Sequence, residues 1–220
     1  CMDNIQYGID PPKDYIPVQA DILEQSLVRR FEQIVDTYPD RMAVSDDLQT
    51  LTYHSLNVSV NNLAQAILEN TGRGDAPVTF LLGHDVTAVI AFLAILKTGR
   101  PYLALHLANP VDRMRMIISD AGSPLLVSSN KYRSIVDNIF LTGSNARPLY
   151  VEDVKEDLQC GNPGIYVEPD SFFSLVYTSG STGEAKGIVT SHRHNAFTIL
   201  YQTNCLYYCP SDRISLLTSL

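Results

Sequence analysis

The sequence predicts an α/β fold, with layered parallel or mixed sheets covered by helices. Two observations carry this. From Val78 onward, short apolar segments ("PVTFLL", "PYLAL", "PLLVSS", "RPLYV") alternate with stretches that have a helical period. Strands separated by helix-length connections belong to parallel or mixed sheets, because a parallel pair needs a covering crossover.

Between Asp21 and Tyr38 the apolar residues Leu23, Leu27, Phe31, Ile34, Val35 and Tyr38 recur at helical spacing. Asp21 followed by Glu24 reads as a capping box, and Pro39 ends the helix. "MAVSD" and "QTLTY" read as two short strands joined by a turn. Tyr53, Leu56, Val60, Leu63 and Ile67 mark a second amphipathic helix, broken at Thr71–Asp75 by "TGRGD". Asp85 to Lys97 is a strongly apolar helix, with Gly99 as its left-handed stop. Helices are also expected over Val111–Asp120 and near Tyr132–Phe140. Val154–Pro169 has no sustained period and contains "GNPG", so it reads as a loop before the strand "SFFSLVY". "KGIVT" and "RISLLTSL" read as further strands, and His192 as the start of a helix behind Ser191.

The 220 residues are 45% hydrophobic and 18% charged, enough for one large or two modest cores. A net charge of −8 argues against a general nucleic-acid surface, which needs basic patches. The apolar run "VIAFLAIL" is far shorter than a bilayer span, so no membrane association is expected. No signal peptide is evident. Four scattered cysteines do not make a disulfide framework, and a cytoplasmic location is the simplest expectation. The "HRH" at 192–194 with Cys205 and Cys209 matches no common zinc spacing.

The chemistry concentrates in "LVYTSGSTGEAKGIVTSH", Leu175 to His192. Glycines at 180, 183 and 187 allow close backbone approach, so successive amides are able to converge on one anion. Thr178, Ser179, Ser181 and Thr182 add neutral donors, and Lys186 adds a mobile point charge suited to phosphate. It is not a Walker loop, because Ala185 and Gly187 flank the lysine where glycine and Ser/Thr are required. On composition alone, a solvated, flexible hairpin loop explains the segment equally well.

"YTSGSTGEAKG" resembles the phosphate-binding signature of the adenylate-forming superfamily, which includes acyl-CoA ligases, luciferases and the adenylation domains of nonribosomal peptide synthetases. Ala185 departs from the proline usual there, which should leave the loop less restrained. The similarity runs from about Phe31. "FEQIVDTYPDRMAV" and "LTYHSLNVSVNNLAQAI" resemble further family motifs, with Ser55 in place of the usual glutamate. In "LAILKTGRPYLALHLANPVDRMRMIISDAG", Lys97, Gly99, Tyr102, Pro110, Arg113 and Asp120 fall in place, while Ala104, His106 and Leu107 depart. The wording is nearest to the peptide-synthetase branch. Lys97 and Gly99 have a simple reading as a helix end, and Arg113 and Asp120 as solvent-facing or locally paired groups. His106 and His192 read as scaffold residues, and Tyr177 as packing beside the loop.

The resemblance implies an incomplete portion of the family's large subdomain: a lead-in over residues 1–20, then its N-terminal part over 21–220. It implies ATP and Mg2+, a carboxylic acid (an amino acid or a related one) and, downstream, the phosphopantetheine thiol of a carrier protein. Thr178, Ser179, Gly180, Ser181, Thr182, Gly183 and Lys186 would hold the phosphates, with Thr182 nearest the metal. The acid pocket and the catalytic lysine are expected beyond Leu220, so no catalytic residue is assigned here and this length alone is expected to be inactive. Its last helix and strand are expected to need covering by the rest of the domain or by a second chain. Two other readings stand beside it: a degenerate, non-catalytic scaffold segment of a multidomain synthase, and a nucleotide-binding regulator without turnover.

Overall fold

The computed structural model describes residues 10–141, 143–179 and 185–215. Its first long helix starts later than the capping-box reading predicts. Helix α1 (Leu27–Thr37) opens where the Ser26 hydroxyl accepts the Arg29 amide at 3.2 Å. The Asp21 stretch instead forms a separate 3-10 turn, Ala20–Glu24, because Gln25 is extended (φ −140°) and interrupts the helix.

Strands β1 (Met42–Ser45) and β2 (Thr50–Thr52) pair antiparallel in a small sheet of their own. Asp46 shapes their turn by accepting the amides of Leu48 and Gln49, each at 2.9 Å. Helix α2 (Tyr53–Thr71) is capped by Thr52, whose hydroxyl takes the Ser55 amide.

The main sheet has six strands: β3 (Val78–Leu81), β4 (Tyr102–Ala104), β5 (Leu125–Ser128), β6 (Arg147–Tyr150), β7 (Phe172–Ser179) and β8 (Ala185–Ser191). Their order is β6-β5-β3-β4-β7-β8, parallel throughout except for the antiparallel β7–β8 hairpin. The connections supply α3 (Val86–Lys97), α4 (Val111–Asp120) and α5 (Arg133–Phe140), and α6 (His192–Leu206) follows β8. The mixed α/β expectation therefore holds.

Strand side chains alternate between faces, so each central strand feeds two cores. Val78, Phe80, Leu125 and Val127 pack with Val60, Ile67, Ala91 and Ile95 of α2 and α3. Leu81, Leu103 and Leu126 point the other way, against Met114 and Ile118 of α4 and Val136 and Ile139 of α5. Each fully buried aliphatic side chain of this kind contributes about 1.5–3 kcal/mol.

Lys97 ends α3, as its position predicts, yet it is buried with its side chain 1% exposed. Its ammonium donates to the side-chain oxygens of Asn57 (2.7 Å), Asn61 (2.8 Å) and Asn162 (2.6 Å). Glu32 of α1 lies 3.3 Å away. Desolvation pulls the Lys97 pKa below its ordinary value, against the opposing pull of Glu32. The cage pins the long connection before β7 to three helices, reinforced by Asn61 donating to the Cys160 carbonyl at 3.0 Å.

Residues ahead of the first helix also belong to the packed body. Asn204 of α6 accepts the Val18 amide at 2.9 Å and the Tyr15 hydroxyl at 2.8 Å, and donates to the Val18 carbonyl at 2.9 Å. The outer part of the hairpin and α6 leave large apolar side chains exposed: Phe172, Val176, Ile188, Val189, Phe197 and Leu206. The expected strand "RISLLTSL" falls largely on Leu216–Leu220, outside the described residues. Among the described residues, no helix is long and apolar enough to cross a membrane.

Candidate functional site

The hydroxyl-glycine segment sits at the end of the β7–β8 hairpin. Strand β7 runs two residues past the apolar stretch, so Thr178 and Ser179 are part of the ladder. Thr178 faces Lys186 and Ser179 faces Ala185 across the hairpin. The sequence-assigned residues Thr178, Ser179 and Lys186 are thus brought to one end of one hairpin. Gly180, Ser181, Thr182 and Gly183 lie outside the described residues.

The sheet's parallel register sets the direction of that end. Tyr102 pairs with Ser174, so the C-terminal ends of β4 and β7 emerge on the same side. Ligands of parallel α/β sheets commonly bind outside the carboxyl ends of strands. Gly187 has a local reason to be glycine, since a Cβ there would lie 3.1 Å from a methyl of Leu175 on β7. The Ser174 and Thr190 hydroxyls share a 2.8 Å hydrogen bond across the two strands.

Two contacts fix the hairpin to the body. The Tyr177 hydroxyl donates to Asp120 of α4 at 2.6 Å. Burial, then the Asp120 carboxylate, push the Tyr177 pKa well above its ordinary value. Asp120 is therefore paired with a residue 57 positions away rather than locally, and sequence spacing holds no signal for that contact.

At the other end, Ser191 caps α6 by accepting the His194 amide at 3.2 Å. His192 behind it is 1% exposed, its Nδ1 accepting the Leu27 amide at 3.2 Å. Its ring lies edge-on to Phe173, with centroids 5.1 Å apart. Burial pushes its pKa down to about 4. His192 is a packing residue, as its position at a helix start predicts.

A cleft of about 240 Å³ opens between the hairpin and the connection from β4 into α4. Leu103, Leu105 and Ile117 form its apolar part, while His106, Asn109, Arg113 and Tyr177 supply polar groups. His106 accepts the Ala108 amide at Nδ1, 3.1 Å away, and so holds the loop that shapes this cleft. Sequence reasoning set Arg113 aside as a surface group. A second, mainly apolar cleft of about 300 Å³ lies at the ends of β3 and β4.

Thr182, the residue expected nearest a metal, lies outside the described residues. Among the described residues, no group of three His, Cys, Asp or Glu side chains is placed to hold a metal ion. The residue types that the sequence sets at this end of the hairpin are hydroxyl-bearing residues and a lysine. Such a set suits phosphate oxygens better than the carboxylate-rich shell of a hard cation.

A doubly covered α/β sheet ending in a Ser/Thr/Gly hairpin with a following lysine is the N-terminal part of an adenylate-forming large subdomain. The family model described as AMP-binding enzyme matches residues 31–220, and the chain belongs to that family.

The relatives this chain resembles include peptide synthetases. It is 28% identical over 196 residues to tyrocidine synthase 1 of Brevibacillus parabrevis, covering 89% of this chain and 18% of that protein. It is 35% identical over 167 residues to malpibaldin synthetase of Mortierella alpina, covering 74% of this chain and 3% of that protein. The AMPPNP-bound form of the nonribosomal peptide synthetase FmoA3 superposes with a TM-score of 0.81 at 23% identity, covering 96% of this chain and 21% of that one. The N-terminal subdomain of Klebsiella oxytoca NpsA superposes with a TM-score of 0.68 at 22% identity, covering 79% of this chain and 44% of that one. The chain thus spans a small share of the curated relatives and under half of these solved chains.

Proposed function

We propose that this chain supplies the phosphate grip of an adenylation domain that activates a carboxylic acid, an amino acid or a related one, as its acyl-AMP. In that reaction the acid's oxygen attacks the α-phosphate of ATP, pyrophosphate leaves, and a pantetheine thiol on a carrier protein later accepts the acyl group. The observation that carries the reading is the hairpin register, in which Thr178 stands opposite Lys186 at the carboxyl end of the sheet.

The division of labour follows from the residue types. Thr178, Ser179, Gly180, Ser181, Thr182 and Gly183 offer amides and hydroxyls that orient the β- and γ-phosphates, and Lys186 offsets the charge that builds on the leaving group. A magnesium ion carried by the triphosphate would supply charge neutralisation, and Thr182 would be the loop hydroxyl beside it. None of these groups is a base, so the segment positions and neutralises rather than moving protons. Residues 21–220 act as the N-terminal part of the large subdomain. The exposed apolar surface of the hairpin and α6 is covered by the remainder of the domain or by a second chain.

The test is acid-dependent exchange between ATP and labelled pyrophosphate in the protein with its full set of domains. Lys186→Ala is expected to lower exchange by about 10- to 100-fold, the range of one charge-assisted hydrogen bond. Unchanged exchange in that variant refutes the phosphate-grip reading. A protein that binds no ATP–magnesium at all is the scaffold instead.

A further inference from the structure

The cleft beside the hairpin holds a cation that no carboxylate among the described residues neutralises. Arg113 lies in the first turn of α4, is half-buried in that cleft, and has no hydrogen-bond or ion-pair partner among the described residues. The two carboxylates on the same helix do not neutralise it. Asp112 is held by Arg115 at 2.6 Å, and Asp120 takes the Tyr177 hydroxyl at 2.6 Å. Among the described residues, no acidic side chain lines the cleft. In a chain of net charge −8, a guanidinium left open in an acid-free recess is an unusual placement.

Two neutral polar side chains, His106 and Asn109, also line the recess. His106 uses Nδ1 as an acceptor for the Ala108 amide, so its neutral ring carries the proton on Nε2 and presents a donor there. Asn109 adds an amide group to the same wall. Leu105 and Ile117 form an apolar floor that weakens solvent screening of the charge above it. At about 240 Å³ the recess lies below the usual size of sites for drug-like ligands and suits a compact anion. Its hairpin wall, Val176 and Tyr177, leads directly into Thr178, the first of the assigned phosphate donors.

We propose that this recess is an anion subsite for pyrophosphate, with Arg113 as its charged anchor and His106 and Asn109 as neutral donors. It rests on the phosphate-grip reading of the hairpin, and places the departing diphosphate between the hairpin and α4. Arginine suits the task, because its planar fork is able to take two phosphate oxygens at once.

The experiment is calorimetric titration of the purified protein with inorganic pyrophosphate and, separately, with ATP–magnesium, for the wild type, Arg113→Gln, Arg113→Lys and Lys186→Ala. Arg113→Gln is expected to weaken pyrophosphate at least tenfold and ATP by less, while Arg113→Lys, which keeps the charge but loses the two-oxygen fork, is expected to fall between the wild type and Arg113→Gln; an unchanged melting temperature in each variant shows that the fold is intact. Equal pyrophosphate affinity in the wild type and Arg113→Gln overturns the subsite, as does a wild type that binds ATP but not pyrophosphate. Arg113-dependent pyrophosphate binding in a protein that ignores ATP upholds the anion site and refutes the phosphate-grip reading instead.

Discussion

Acidification from pH 7 to pH 5 should cost this fold about 2 kcal/mol through His192 alone. Its ring is buried against Phe173, and its Nδ1 accepts the Leu27 amide, a bond that only an unprotonated nitrogen makes. Burial lowers its pKa to about 4 from the ordinary 6.5. Between those values the unfolded chain binds a proton that the folded chain refuses, so stability rises with pH across the window. The contribution is therefore complete above about pH 6.5 and is lost as the pH falls towards 4. Below 4 both states are protonated and nothing more is lost. The full gap of about 2.5 corresponds to roughly 3 kcal/mol, most of it between pH 7 and 5 after weighting by the protonated fractions. Urea unfolding at the two pH values, on the wild type and on His192→Asn, isolates the effect. Asparagine keeps an acceptor for the Leu27 amide and does not titrate, and the carboxylates common to both proteins cancel in the difference. An equal loss of stability in both proteins would refute the reasoning.

Two further predictions concern stability. Lys97→Met is expected to cost about 3–5 kcal/mol, because it strands the buried Asn61 oxygen, the part-buried acceptors of Asn57 and Asn162, and the Glu32 carboxylate; the urea midpoint measures it, and a loss under about 1 kcal/mol would show the cage to be dispensable. Gly99→Ala is expected to cost about 1–2 kcal/mol, since φ there is +78° and an added Cβ would lie 3.3 Å from Ile165; an unchanged melting temperature would contradict it.

Much of the architecture is legible because each strand and helix carries its own period. The four-residue buried strands around Phe80 and Val127 and the helix from Val86 to Lys97 emerge from local pattern alone. The start of the first helix is not, because Asp21 and Glu24 mimic a cap, whereas the working cap, Ser26, follows a residue whose extended backbone no composition rule reveals. The phosphate segment is legible as a motif, since its donors are contiguous. What surrounds it is not. Lys97 looks like a helix-end cation, and its burial depends on asparagines at 57, 61 and 162 converging only in the folded chain. Asp120 and Tyr177 meet across 57 residues, and Arg113 stands open because its neighbouring acids are already engaged. Long-range pairing of polar groups leaves no periodic trace.

The clasp between Asn204 and the strap around Tyr15 and Val18 bears on how the protein is made. Its two sides are 186 residues apart in the case of Val18. At about 5–20 residues per second, the strap leaves the ribosome roughly ten to forty seconds before its docking helix exists. Throughout that interval Tyr15 and its neighbours trail unsecured, open to proteases and to other nascent chains. Shielding by a chaperone early in synthesis would matter more for this strap than for segments whose partners lie close by in sequence.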